Sequence, residues 1–231
     1  ATAGERARTY LLLPAGSFSD INHAFREISD GRHIPVVDGR SYRVLLCASW
    51  LGEGEEQHNR YAKHTFTREQ FDAMDQPGLH RVWATFEDTI RVVGYELEEE
   101  VISRGKEFVL RTYFEVLKPI KRSHKIFLHV DRPGTSNRIH GDHWPLNLTE
   151  GGEDDKACTG CYRTDHWLPG DVVVDVFSKE VPIGTPSGPQ DIWMGFYTPG
   201  SDKRLTVKDW ERDRARHDGS NRVRLGSLQV R

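Results

Sequence analysis

The chain has 231 residues, a formal net charge of −3 at pH 7 and a pI near 6.4. Hydrophobic residues make up 36% of it and aromatic residues 10%, which is enough for a packed core and excludes a disordered chain. The slightly acidic charge argues against a nucleic-acid-binding protein, and no apolar run approaches the roughly eighteen residues needed to span a bilayer.

Strand and helix patterns alternate in the N-terminal part of the chain. Residues 9–13 (TYLLL) predict a short strand, and residues 17–31 have the apolar spacing of a helix that Gly31 ends. Apolar runs at 33–37 and 41–50 predict further strands. This alternation indicates a small α/β unit.

The next segment, residues 52–83, is charged and has no strand rhythm. Thr67 and Gln70 have the spacing of a capping box, which predicts a short helix directly after Thr67. The segment otherwise resembles a connector. The predicted domains are therefore 1–83, a small α/β unit plus connector, and 84–231, a β-sandwich domain.

The stretch from Phe86 to Val130 contains three strand-like runs separated by two short polar connections. In the middle run, alternate residues are apolar or β-branched and share one predicted face: Phe108, Leu110, Thr112, Phe114 and Val116. Such period-2 alternation is typical of a sheet with one buried face. We therefore expect these runs to form an antiparallel meander at the centre of the sandwich.

Further strand patterns continue to the C-terminus and are separated by turn signals; they lie at 171–183, 190–198, 203–207 and 221–230. Short strands at this spacing favour a mainly β, antiparallel β-sandwich of the jelly-roll or immunoglobulin-like type. In the last run the apolar parity changes at Gly226, between Val223 and Leu225 on one side and Leu228 and Val230 on the other. A one-residue bulge there would return all four to the core.

The order of motifs from about residue 85 onward resembles that of a known family. The motifs are FEDTIRVVGYEL, FVLRTYFEVLKP, KIFLHVDRPG, HGDHWP, HWLPGDVVVD, IWMGFYTPGSDKRLTV and NRVRLGSLQV. They resemble the C-terminal extracytoplasmic β-sandwich domains of bacterial multi-spanning, glycosyltransferase-like membrane proteins. The resemblance implies a sandwich fold, a periplasmic or cell-surface location and a membrane-protein partner. These motifs support the fold and carry no chemistry.

The chain departs from that pattern at residues 146–167, where it is longer and contains a CxxC pair. Several potential metal-ligating side chains lie in and around this segment: His140, His143, Cys158, Cys161 and His166. The two cysteines, His166 and either His140 or His143 would form a Cys2His2 set that suits tetrahedral zinc. Two other interpretations remain open. Cys158 and Cys161 form a small disulfide or remain free while Asp142 and the histidines brace the loop, or they form a redox-active dithiol. Cys47 lies in an apolar strand and is expected to be an inert core thiol.

Four tryptophans could build a surface on which sugar rings stack: Trp144, Trp167, Trp193 and Trp210. Trp144 and Trp167 flank the same segment and are the favoured candidates. Trp193 lies within a strand, where packing in the core or on a sheet face is the expectation. Signatures of hydrolases and nucleotide-binding proteins (GxSxG, HExxH and phosphate-binding glycine loops) are missing from the sequence.

The leading hypothesis is therefore a non-enzymatic, extracytoplasmic accessory domain that works without a cofactor. It would position glycan or a protein partner for a membrane-embedded glycosyltransferase-like protein. The competing hypothesis is a metal-binding protein or a carbohydrate-active enzyme that uses zinc in the HGDH/CxxC loop.

Overall fold

The structure is a computed structural model that describes residues 7–41, 43–146, 160–201, 203–212 and 216–231. It divides into two compact units, Ala1–Thr65 and Phe66–Arg231. The second unit therefore includes residues 66–83, which the sequence pattern assigns to a connector. Within the described ranges, no helix has the length and apolar character needed to cross a membrane.

The first unit contains one helix and a three-stranded antiparallel sheet. Its elements are β1 (Tyr10–Pro14), α1 (Phe18–Ile28), β2 (Val36–Asp38) and β3 (Val44–Ala48). The strands lie in the order β1-β3-β2. Gly31, with φ of 76°, donates its N–H to the Arg26 carbonyl at 3.0 Å and ends the helix as predicted, because glycine adopts this left-handed conformation without strain.

The core of the first unit combines ring stacking with a buried amide network. Phe18 on α1 stacks on Tyr61, with ring centroids 5.6 Å apart. The Asn22 side-chain oxygen accepts hydrogen bonds from the Ile34 N–H at 3.1 Å and from Asn59 Nδ2 at 3.0 Å. Both asparagines are fully buried. Because buried amides are costly without partners, this network specifies how the helix lies on the chain that follows it.

The second unit contains a short helix, α2 (Arg68–Asp72), and two sheets. The first sheet has six strands: β4 (Thr65–Thr67), β5 (His80–Phe86), β6 (Ile90–Leu97), β8 (Glu107–Val116), β11 (Asp171–Glu180) and β14 (Val207–Trp210). Their order is β14-β5-β6-β8-β11-β4. The seventh strand in chain order, β7 (Val101–Ile102), belongs to the other sheet.

The second sheet has seven strands: β7, β9 (Lys125–Asp131), β10 (Arg138–His140), β12 (Gly188–Thr198), β13 (Lys203–Arg204), β15 (Arg216–His217) and β16 (Val223–Val230). Their order is β10-β9-β12-β16-β15, with β13 beside β12 and β7 beside β16. The pairing of β7 with β16 is parallel, and the other pairings are antiparallel.

The inner faces of the two sheets form the sandwich core. Phe196 of the seven-stranded sheet makes edge contacts with Phe86 and Phe114 of the six-stranded sheet, at centroid distances of 5.3 and 5.1 Å. All three rings are fully buried. The five residues predicted to share a face of β8 are buried as well. The predicted antiparallel β-sandwich with a small N-terminal α/β unit is therefore confirmed.

The predicted meander is wrong in its third strand. β6 and β8 pair in antiparallel fashion within one sheet, but β9 lies in the opposite sheet, beside β10 and β12. The connection from Leu117 to His124 includes Pro119, which has no N–H to donate to a ladder. The chain therefore leaves the first sheet there and crosses to the second.

The helix α2 packs on the outer side of the six-stranded sheet. The ring centroids of Phe71 on α2 and of Tyr113 lie 5.2 Å apart, and the Tyr113 ring points away from the sandwich core. The predicted capping box is present, because Thr67 Oγ1 accepts from the Gln70 N–H at 3.2 Å and Gln70 Oε1 accepts from the Thr67 N–H at 2.8 Å. This helix covers apolar residues that an open sheet would expose.

The predicted bulge in β16 is also confirmed. Ile192 pairs with Gly226 and Trp193 with Arg224, which leaves Leu225 without a partner on β12. As predicted, the four apolar residues around the bulge are all buried: Val223, Leu225, Leu228 and Val230. A Cβ atom at Gly226 would lie 2.1 Å from the Tyr95 hydroxyl oxygen. Glycine is therefore required, because Tyr95 of the opposite sheet contacts the backbone at this point.

We predict that Gly226→Ala lowers the free energy of unfolding by about 2 kcal/mol, since the added methyl group must displace a buried tyrosine. Gly184→Ala is the matched control, because a Cβ there meets no atom within 4 Å. It should change stability by less than about 0.5 kcal/mol. Chemical denaturation of both variants measures the difference, and equal stabilities would contradict the close approach of Tyr95.

Candidate functional site: the outer face of the seven-stranded sheet

One outer surface of the sandwich carries a row of polar and aromatic side chains across three strands. His129 on β9 lies directly opposite His140 on β10 and Trp193 on β12. Residues directly opposite in antiparallel strands share a face. The intervening residues Leu128 and Val130 point into the core and are 2% exposed. We call this surface the His129 face and define it by His129, Asp131, His140, Trp193 and Arg222.

Ion pairs organise the centre of the His129 face. The Asp131 carboxylate accepts hydrogen bonds from Arg138 Nε at 2.6 Å and from Arg222 Nη1 at 2.8 Å. Burial raises the pKa of Asp131, but the two guanidinium groups more than offset this, and the pKa lies below its usual range. The Arg222 guanidinium also lies over the Trp193 ring, 4.5 Å from its centroid. These contacts hold the indole and the carboxylate in fixed positions.

His129 is 5% exposed and lies between Arg222 on one side and Asp142 on the other. Burial, together with the positive charge of Arg138, lowers its pKa to about 4, so the ring is neutral near pH 7. Its Nδ1 lies 3.4 Å from Arg222 Nη1, which can only donate. Its Nε2 lies 3.7 Å from the Asp142 carboxylate.

Three potential metal-ligating groups meet beside β9. One ligand atom from each of His129, His140 and Asp142 lies within 4.8 Å of the other two. The two imidazole rings are in edge contact, with centroids 5.2 Å apart. Burial raises the pKa of Asp142. Its Oδ1 atom is buried and has no hydrogen-bond partner among the described residues.

The HGDH segment is held in place by a carboxylate from the opposite sheet. Asp175 on β11 is 2% exposed and accepts from His143 Nε2 at 2.8 Å and from the Leu146 N–H at 2.7 Å. Burial lowers the pKa of His143, but Asp175 and the Gly141 carbonyl raise it by more, so it lies above the usual value. His143 therefore braces the loop, as one of the sequence interpretations expects.

The other members of the predicted zinc set do not join His140. Cys161 is buried and disulfide-bonded, so it supplies no thiolate, while His166 is buried in a short 3-10 turn. Cys158 lies outside the described residues. Among the described residues, His140 instead lies within metal-ligating distance of His129 and Asp142. Cys47 is a free, buried thiol.

Neither tryptophan predicted to bind sugar offers an open ring. Trp167 is 1% exposed and stacks on Phe114 of the core, at a centroid distance of 5.9 Å. Trp144 is 8% exposed, and the Lys125 ammonium lies 5.4 Å from its ring centroid. Both rings are therefore largely removed from solvent. Trp193, by contrast, lies half-buried on the outer sheet face.

His129 is a site residue that the sequence reasoning did not single out, and for Trp193 it favoured packing in the core or on a sheet face over sugar stacking. Each lies within a strand pattern, and the pattern alone is consistent with a side chain that points into the core or out of it. The available signal was parity: Phe127, His129 and Asp131 alternate with the apolar residues of KIFLHVD, and Trp193 alternates with Ile192 and Met194 in the same way. Which two strands would bring them together depends on pairing between distant segments.

These features define a mainly β, antiparallel two-sheet sandwich domain with a polar, histidine-containing outer face. No family model matches the chain, and no curated protein matches it in sequence. Similarity to solved structures is low in every case below.

A Niemann-Pick type C2 protein from Japanese carpenter ant is similar at a TM-score of 0.36 and 12% identity, over 64% of this chain and 99% of that protein. The C-terminal domain of wzt gives a TM-score of 0.40 and 11% identity, over 68% of this chain and 82% of that domain. Spo0M, the sporulation control protein from Bacillus subtilis, gives a TM-score of 0.29 and 13% identity, over 62% of this chain and 49% of that protein. At these TM-scores, function has to be argued from the surface itself.

We predict that Asp175→Asn lowers the free energy of unfolding by about 2 kcal/mol, because it removes a buried charge-assisted acceptor from His143. Asp88→Asn is the matched control: Asp88 is exposed, and its φ of 55° suits asparagine. Thermal unfolding of both variants tests the role of Asp175. Equal melting temperatures for Asp175→Asn and the unmodified chain would show that it does not hold the loop.

Proposed function

We propose that this chain is a non-enzymatic ligand-binding domain that takes a neutral carbohydrate on the His129 face. One observation carries the proposal: a half-buried indole, Trp193, lies on the outer sheet face beside planar hydrogen-bonding groups, with the Arg222 guanidinium over its ring. Sugar rings are recognised by flat aromatic surfaces together with a few fixed polar groups that orient them.

The polar groups around Trp193 have the chemistry to bind vicinal hydroxyl groups. Carboxylates accept hydrogen bonds at two oxygens and guanidinium groups donate several in one plane. Asp131 is fixed by Arg138 and Arg222, and Asp191 is fixed by Arg224 Nε at 2.7 Å. Groups that are already ordered lose little conformational entropy when a ligand binds.

Charge balance favours a neutral ligand over a polyanion. The three arginines around Trp193 are matched by three carboxylates: Arg138, Arg222 and Arg224, with Asp131, Asp191 and Asp218. A surface for an acidic polymer would carry an excess of positive charge. Around the indole, the paired arrangement instead presents donors and acceptors whose charges are matched.

We also propose that the domain works outside the cytoplasm as an accessory to a membrane-embedded glycosyltransferase-like protein. The motif order of residues 85–231 supports this, because it resembles that of such accessory domains. The disulfide at Cys161 fits the same proposal. Structural disulfides persist in oxidising compartments and are rare in the cytoplasm.

We predict that a neutral oligosaccharide from a glycan array binds the unmodified protein and that Trp193→Ala weakens the binding about tenfold or more. The loss follows from removal of the stacking surface. Trp83→Ala is the matched control, because Trp83 lies on the other sheet and also has a guanidinium, Arg91, over its ring at 5.9 Å. Calorimetric titration of both variants gives the affinities. No binding by the unmodified protein, or equal loss in both variants, would contradict the proposal.

For the compartment, we predict that Cys161 resists alkylation until it is reduced when the protein is taken from its native host. Cys47 supplies the internal control, since it is free and reacts once the chain is denatured. Mass spectrometry of the two cysteine peptides measures this. Full alkylation of Cys161 before reduction would contradict the proposed oxidising compartment.

A further inference from the structure

We propose that His129, His140 and Asp142 form a binding site for a zinc-class divalent metal ion at the edge of the His129 face. This inference does not depend on carbohydrate binding. The three side chains come from two strands and the turn that follows them, and their ligand atoms lie within 4.8 Å of one another. Two imidazoles and one carboxylate are a donor set that zinc and similar ions prefer.

The distances are close to those that an ion would impose. Ligand atoms around a tetrahedral ion at about 2.0–2.1 Å lie about 3.3 Å from each other. His129 Nε2 and the Asp142 Oδ1 atom are already 3.7 Å apart. His140 is exposed, and the Asp142 side chain is 42% exposed, so both can turn toward an ion without disturbing the core.

The backbone that brings these groups together is fixed at several points. The β9–β10 register places His140 opposite His129. The chain then turns at Gly141, whose N–H donates to the Leu128 carbonyl at 2.8 Å. A Cβ at Gly141 would lie 2.4 Å from the Phe177 ring, so only glycine allows this turn. The turn directs Asp142 back toward His129.

The Asp142 carboxylate supplies a second, independent indication. Its Oδ1 atom is buried, yet it has no hydrogen-bond partner within the described ranges. Buried carboxylate oxygens are normally satisfied, and an atom without a partner calls for an explanation such as an ion. The atom is also the one that faces His129 Nε2, where an ion bound by all three groups would lie.

The surroundings of His129 allow it to bind an ion through Nε2. Arg222 donates toward His129 Nδ1, so the proton of the neutral ring lies on Nε2. When Nε2 binds an ion, the proton moves to Nδ1, and the 3.4 Å contact between Nδ1 and Arg222 Nη1 is lost. Arg222 keeps its shorter hydrogen bond to Asp131. Three protein ligands leave a fourth position to water or to a ligand of the face.

The test is zinc binding by the protein after treatment with a chelator, measured by equilibrium dialysis with elemental analysis and without a reductant. We expect one ion per chain. We expect His140→Ala and Asp142→Asn each to weaken binding at least about 100-fold, since even an outer-shell change costs 10–100-fold. Cobalt(II) in place of zinc should give visible absorption bands typical of nitrogen and oxygen ligation.

His80→Ala is the matched control, because His80 is an exposed histidine on the other sheet and contacts Glu100. It should leave zinc binding unchanged. Circular dichroism confirms that the variants are folded, which their exposed positions lead us to expect. Absence of zinc binding in the unmodified chain, or equal binding by His140→Ala and His80→Ala, would overturn the proposal.

Discussion

The arrangement of the candidate site depends on one buried carboxylate. Asp175 extends from β11 toward the HGDH turn and is almost completely removed from solvent. A charge in that position is strongly destabilising unless it is paired and hydrogen-bonded. His143 and the Leu146 N–H satisfy it from the neighbouring loop. The turn after β10 is therefore fixed beside β9, and together with the β9–β10 register it sets the positions of His140 and Asp142.

This constraint divides the HGDH motif between two tasks. The second histidine points inward and stabilises the fold, whereas the first histidine and the aspartate lie on the outer side next to His129. The surface so formed has paired charges around the Trp193 indole and a set of metal-ligating atoms at its edge. Binding of a sugar and binding of an ion would use different parts of it, so either can be tested alone.

Much of the fold could be predicted from the sequence, because local patterns determine it. The alternation in β8, the capping box at Thr67 and the parity change at Gly226 each report the environment of their own segment. The sheet to which β9 belongs could not be obtained in this way. Strand partners are chosen by contacts between distant segments, and the alternation of KIFLHVD is the same in either sheet.

The site was harder to predict for the same reason. Residue type and proximity in sequence favoured the CxxC segment and its flanking tryptophans, but Trp144 and Trp167 are buried. His129 gains its neighbours from β10 and β12, which lie before and after that segment in the chain. A strand histidine becomes a candidate site residue only when its register with both neighbouring strands is known.

The central claim is that the His129 face, and not the opposite sheet or the loop, is where this domain binds its ligand. The most direct measurement is a two-dimensional NMR titration of the labelled protein with a neutral oligosaccharide that binds it. We predict shifts concentrated at the Trp193 indole N–H and at the backbone amides of His129, Asp131 and Arg224. Shifts confined to the six-stranded sheet, around Trp83 and Arg91, would contradict this account.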